Sequence, residues 1–229
     1  MDRTEVEAHI RSGGAAGLMT QAAALSKKDR NQVYRIGVRV IAFGKWPQSY
    51  LEDMIQLGDA TIREALEDGE HDDANIMMFN MASNLCDCWR DPYVRERRHF
   101  ERGLAYADGA LDLRIRLQKP AEKLAMAHWA RGKHLLSLSR PAEAVAAFKA
   151  SVESVRKRTQ AAENRDAEIG YVGFLALAEA LNGQQADAMG RYRGAIAALQ
   201  KLGTESAAQK DGSDLFIDQL EATREILKL

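Results

Sequence analysis

Four times this chain runs a helix-grade apolar stretch into a short turn and then into a second such stretch. The turns are Phe43-Gly44-Lys45-Trp46-Pro47, Trp89-Arg90-Asp91-Pro92, Leu138-Ser139-Arg140-Pro141 and Leu181-Asn182-Gly183-Gln184-Gln185. Their matching positions, Pro47, Pro92, Pro141 and Gln185, lie 45, 49 and 44 residues apart. Self-similarity at such a period marks stacked helix pairs rather than one globular core, because each pair hides its apolar face only against its neighbour.

Composition agrees. The chain has 229 residues, 46% of them hydrophobic, enough apolar surface for one elongated domain. Alanine is abundant, and alanine loses no side-chain entropy in a helix. The 32 basic and 33 acidic residues nearly cancel, leaving a formal charge of −1, which argues against a general nucleic-acid binder. The N-terminal segment lacks the basic and apolar regions of a signal peptide, and no apolar run is long enough to span a bilayer. A cytoplasmic address without membrane contact is therefore expected. Cys86 and Cys88 are the two cysteines. On a helix, a spacing of two turns their thiols about 200° apart, so no disulfide is expected.

Along the chain, residues 1–29 form an N-terminal cap: a short helix from Thr4 to Ile10, a break at Gly13-Gly14-Ala15-Ala16-Gly17, and an alanine-rich helix from Leu18 to Leu25. Four helix pairs follow at 31–68, 74–117, 121–160 and 165–202. In the first, Val33, Ile36, Val40 and Phe43 share one stripe, and Pro47 starts the partner helix at the position where its missing N–H is harmless. In the second, Ala74 to Trp89 carries Ile76, Met78, Met81 and Leu85, and Pro92 opens the partner. The third runs from Ala121 to Leu138 and from Ala142 to about Arg158. The fourth runs from Arg165 to Leu181 and from Gln185 to Leu202. Ser213-Asp214 caps a last helix over 213–229.

In the third pair Gly132, Ala144 and Phe148 fall twelve and sixteen residues apart, and in the fourth Ala176, Ala188, Tyr192 and Ala195 fall at offsets of twelve, sixteen and nineteen. This small–small–aromatic–small pattern resembles the tetratricopeptide repeat, in a long-repeat variant. Small residues let the helices of a pair cross closely and the aromatic plugs the groove to the next. The resemblance implies an all-α, right-handed α-solenoid of about four helix hairpins capped at both ends, with the first helices lining a concave face.

If Gly37, Ala82, Gly132 and Ala176 are equivalent, the family geometry turns Tyr34 and Val38, Phe79 and Ser83, Trp129 and Lys133, and Gly173 and Leu177 toward that groove. It adds Asn31, Ile76 and Met126 six residues before the small positions, and leaves polar Asn31 and Asn75 near the groove's start. Such a set suits an extended peptide or a helix of a partner protein. The alternative is that the aromatics pack against neighbouring helices. On the groove reading the array is a non-catalytic scaffold for a protein or peptide, or a regulator that closes on a small peptide. Self-association into a homo-oligomer is compatible with its alanine-rich faces.

Other constellations are weaker. Arg95, Arg97, Arg98, His99 and Arg102 form a basic run, but Glu96 and Glu101 interleave, as on a salt-bridged helix face. Cys86, Cys88, His71 and His99 lack the spacing of a zinc site, and His128 and His134, six apart, miss the i, i+4 arrangement of a helical metal pair. No nucleophile elbow, phosphate loop, dinucleotide fingerprint or His-Glu-x-x-His is present. Neither a cofactor nor a catalytic residue is assigned.

Overall fold

The computed structural model describes residues 1–157 and 165–229. The described chain is all-α. Its ten helices are α1 (Arg3–Ala22), α2 (Lys27–Phe43), α3 (Tyr50–Glu67), α4 (His71–Asn84), α5 (Arg97–Arg116), α6 (Ala121–Ser137), α7 (Pro141–Arg156), α8 (Arg165–Leu181), α9 (Gln185–Leu202) and α10 (Ala207–Leu227). Each helix packs on the next in the chain, and α1 also meets α3, α4 meets α6, and α8 meets α10. The expected ends of the third pair, at Arg158 and at residue 160, lie outside the described residues.

The small residues explain the close crossings. A Cβ built on Gly132 of α6 would lie 2.7 Å from the Phe148 ring of α7, so only glycine lets these two helices approach this far. Phe148 stacks on Phe174 of α8 at 5.7 Å, and Phe174 meets Trp129 of α6 edge-on at 6.0 Å. In the fourth pair Ala176, Ala188, Tyr192 and Ala195 are all buried.

The first two pairs end their leading helices with a shared device. The last carbonyls of a helix have no intrahelical partner. In α2 the Trp46 indole N–H reaches back six residues to the Val40 carbonyl at 3.0 Å, and after α4 the Trp89 indole N–H does the same to Ser83 at 2.7 Å. Arg95 adds a bond to the Asn84 carbonyl at 2.8 Å.

Several boundaries differ from those predicted by periodicity. α1 is one element kinked at Gly14 (φ 61°), where the Asp53 carboxylate accepts from the freed Ala15 N–H at 2.8 Å. Neither Pro47 nor Pro92 is the first helical residue. Pro47 leads a turn closed by Tyr50 N–H onto its carbonyl at 3.0 Å, and α3 begins only at Tyr50. After Pro92 the chain stays extended because the Gln48 amide pairs with both backbone groups of Val94, at 2.7 and 2.8 Å. The last helix starts six residues earlier than expected, with Ser206 as its cap and Ser213 buried inside it.

The largest departure is in the second pair. α4 stops at Asn84, not Trp89, and residues 85–96 form an irregular connection to α5. The equivalent turn of the third pair, between α6 and α7, is residues 138–140.

Candidate functional site

The connection over 85–96 is nailed to four other parts of the molecule. The Tyr93 hydroxyl donates to the Ile41 carbonyl of α2 at 3.1 Å. Asp87 pairs with Lys133 of α6 at 3.1 Å and accepts from Ser137 at 2.8 Å. Arg90 bridges to Glu225 of α10 at 3.1 Å. Val94 is held by Gln48, and Arg95 is locked within the loop on Asp91 at 2.5 Å. An irregular segment this long normally carries function, because it forgoes helical hydrogen bonds that must be replaced one at a time.

One wall of a groove of about 850 Å³ is built from this connection, and the other walls are α2 and α4. The two helices are bridged across it by Arg35 and Asp73 at 2.9 Å. Phe43, at the end of α2, is 78% exposed and Ile76 of α4 is 46% exposed, and both line the groove together with Trp89, Pro92 and Tyr93. The expected buried stripe thus fails at its ends: Phe43 and Ile76 face solvent.

Of Asn31, Tyr34, Asn75, Phe79, Ser83, Trp129 and Lys133, Ser83 lines this groove. The others sit elsewhere. Tyr34 is packed in the core. Asn31 donates from its amide to the Thr61 carbonyl at 3.3 Å. Asn75 is buried and accepts from Arg114 Nε at 3.0 Å, and Phe79 lies beneath the same guanidinium, 4.4 Å from its ring centre. No carboxylate among the described residues pairs with Arg114, and burial lowers its pKa to about 10. Trp129 is buried with its ring edge-on to Trp89 at 6.5 Å, so it braces the groove wall from behind.

Lys133 is 1% exposed, and its ammonium is shared between Asp87 and the Thr223 hydroxyl of α10, at 3.1 and 2.7 Å. Burial alone would lower its pKa, but Asp87 and the two nearby thiols reverse that, and the net shift is upward. A buried ion is tolerated only with such a partner.

Because α4 ends early, Cys86 and Cys88 do not point apart as they would on a helix. Both are buried beside Lys133, and the Cys86 thiol donates to the Ala82 carbonyl at 3.4 Å. Burial pushes the Cys86 thiol well up; burial also opposes ionisation of Cys88, but the neighbouring Cys86 and the Lys133 charge outweigh it and bring Cys88 down. Behind them His134 is fully buried, with Nε2 2.8 Å from the Ala82 carbonyl and Nδ1 without a partner. Burial lowers its pKa to about 4, so it is neutral. No group of three side chains among the described residues is arranged to hold a metal ion.

The basic run on α5 is largely neutralised: Arg97 pairs with Glu101, Arg98 with Glu52 and Glu96, and Arg102 with Asp59. His99 is bonded to Glu52 at 2.8 Å. No helix among the described residues is long and apolar enough to cross a membrane.

The register that turns Phe79 and Ser83 toward the groove also places Ile76 and Val38 there, and both line it; sequence reasoning missed Phe43, Trp89 and the loop itself. Asp91-Pro92 falls in the turn that the sequence marks, but Leu85 to Cys88 before it and Val94 after it keep a helical pattern, so nothing local shows how far the loop extends. No protein-family model matches the sequence, and no curated protein is significantly similar to it.

Proposed function

We propose that the chain is a tetratricopeptide-like α-solenoid that acts in the cytoplasm as a non-catalytic interaction module, binding a peptide or a segment of a partner protein. In this reading α2/α3, α4/α5, α6/α7 and α8/α9 are the repeats, and α1 and α10 are caps. Stacking of each helix on the next supports it. The leading helices α2 and α4, which the family resemblance turns toward the concave face, flank the groove.

The observation that carries the proposal is the exposure of Phe43 and Ile76 within a preformed groove. A large apolar side chain held in water at a concave site gains about 1.5–3 kcal/mol when a partner covers it. The groove's ionisable side chains are guanidinium, ammonium, the Tyr93 phenol bonded to the Ile41 carbonyl and one carboxylate already bound to Arg95, which suits recognition rather than acid–base chemistry.

The test is selection of short random peptides displayed on phage, run in parallel on the native chain and on a Phe43→Ser/Ile76→Ser double variant. Both positions are exposed, so the variant keeps the native unfolding midpoint. Peptides enriched on the native chain and lost on the variant are the expected result. Equal enrichment on both, or none, removes the groove as the binding site.

A further inference from the structure

Building on that groove reading, we propose that its occupant is an acidic peptide segment with bulky apolar side chains, its main chain held by the side-chain amides of α4. Three observations select this chemistry.

The first is charge. Arg35, Arg39, Lys45 and Arg90 line the groove, against the single carboxylate Asp91. Arg35 is used by Asp73, Arg90 by Glu225, and Asp91 by Arg95. Arg39 and Lys45 are exposed and have no carboxylate partner among the described residues. The chain as a whole carries a formal charge of −1, so this cationic wall is a local feature and not a reflection of composition. Carboxylates entering between Arg39 and Lys45 complete two ion pairs that folding leaves open.

The second is the amide pair. Asn80 and Asn84 are four residues apart on α4 and so share one face, and both line the groove. Neither side-chain amide has a hydrogen-bond partner among the described residues. A primary amide offers a donor and an acceptor in the geometry of a peptide unit. Two of them about 6 Å apart along the helix fit alternate main-chain units of an extended segment, which repeat on one side about every 6.6 Å. Gln48, outside the groove, already does this to Val94 with one amide.

The third is the apolar share of the lining. Phe43, Ile76 and Trp89 offer contact area that neither a simple anion nor a sugar covers. A membrane surface fits poorly, since these residues line a cleft and not a convex face.

The experiment extends the peptide selection. Sequences enriched on the native chain are expected to be rich in Asp and Glu and to carry Leu, Phe or Trp. A synthetic peptide of the enriched sequence, followed by fluorescence anisotropy, should bind at least about tenfold more weakly to an Arg39→Glu/Lys45→Glu variant and should weaken as salt rises. Selection on that charge-reversed variant should turn toward Lys- and Arg-rich peptides. Asn80→Leu/Asn84→Leu should weaken every enriched peptide regardless of its side chains.

Enrichment that depends on Phe43 and Ile76 but shows no acidic excess and no response to charge reversal overturns the acidic assignment and leaves the groove reading standing. Full binding by the Asn80→Leu/Asn84→Leu variant overturns the amide contact. Loss of groove dependence altogether sinks both readings.

Discussion

The second and third helix pairs solve the same packing problem in opposite ways. Between α6 and α7 the chain turns in residues 138–140, and a glycine facing a phenylalanine brings the helices together. Between α4 and α5 it takes residues 85–96, sets two buried thiols and a part-buried carboxylate of its own against a buried lysine, and pins the result to α2, α6 and α10. The regular pair is held mainly by shape, with a single buried hydroxyl bond between its helices among the described residues, from Ser151 to the Ala125 carbonyl. The irregular pair is held by polar bonds, and it is the one that opens a groove. The groove lies where the short interhelical turn gives way to a long connection that is fastened down on three other helices.

Removing the main fastener has the largest expected effect. Lys133→Met leaves Asp87 buried without its counterion, which costs about 3 kcal/mol and lowers the denaturant midpoint accordingly. Adding Asp87→Asn should recover part of that loss, because a neutral amide is cheaper to bury than an unpaired carboxylate. A single variant as stable as the native chain would mean that the ion pair does not hold the connection in place.

The same region sets a pH dependence. His134 has a folded pKa of about 4, against an ordinary value near 6.5 in the unfolded chain. A folded pKa below the unfolded one means that the unfolded state takes up the proton first. Stability is complete above about pH 6.5 and falls as pH drops toward 4, by about 2 kcal/mol between pH 7 and 5. His128, also held down by burial, adds with the same sign. Asp87, whose pKa is depressed, loses its contribution only below the ordinary carboxylate range, outside this window. His134→Gln should therefore flatten the slope without abolishing it, as followed by chemical denaturation across that range.

How much of this was legible in the sequence divides along the same line. Period and capping located the helices of the third and fourth pairs closely, because Gly132, Phe148, Ala176 and Tyr192 act through local packing. The second pair misled. Leu85 and Trp89 keep helical spacing, and Pro92 suits a helix start, yet the helix ends at Asn84 because Asp87 must reach Lys133, 46 residues on. A bond over that distance leaves no periodic trace. The groove was harder still. Tyr34, Phe79 and Trp129 belong to the right helices or their neighbours, but which side of a helix meets water depends on how its neighbours sit. Phe43 in solvent looks, in sequence, like any last residue of a buried stripe.

The contrast between the pairs sharpens with one substitution made twice. Gly132→Ala sets a methyl 2.7 Å from a Phe148 ring already stacked on Phe174, and overpacking of this kind costs about 1–3 kcal/mol. In α5, Gly109→Ala meets the Met78 sulfur at 2.9 Å, the flexible end of a side chain. There the helix propensity of alanine, worth up to about 1 kcal/mol over glycine, should dominate. Thermal unfolding should fall for the first and hold or rise for the second. A change of like sign in both would end the claim that the two pairs pack by different means.

The smallest effect separates fastening from binding. Ser151→Ala in the third pair and Tyr93→Phe in the second each remove a buried hydroxyl bonded to a backbone carbonyl, Ala125 at 2.8 Å and Ile41 at 3.1 Å. Each should cost about 1 kcal/mol. The Ile41 carbonyl keeps a long contact from the Gly44 N–H at 3.4 Å, which places Tyr93→Phe at the lower end. Their effects on peptide binding should differ. Ser151 faces away from the groove into α6, whereas Tyr93 lines the groove and ties the loop to α2. Titration of an enriched peptide should give native affinity for Ser151→Ala and a weaker one for Tyr93→Phe, although their unfolding midpoints nearly coincide. Equal affinities would show that the groove keeps its shape without this tether, and the weight placed on the connection would shift to Asp87 and Arg90.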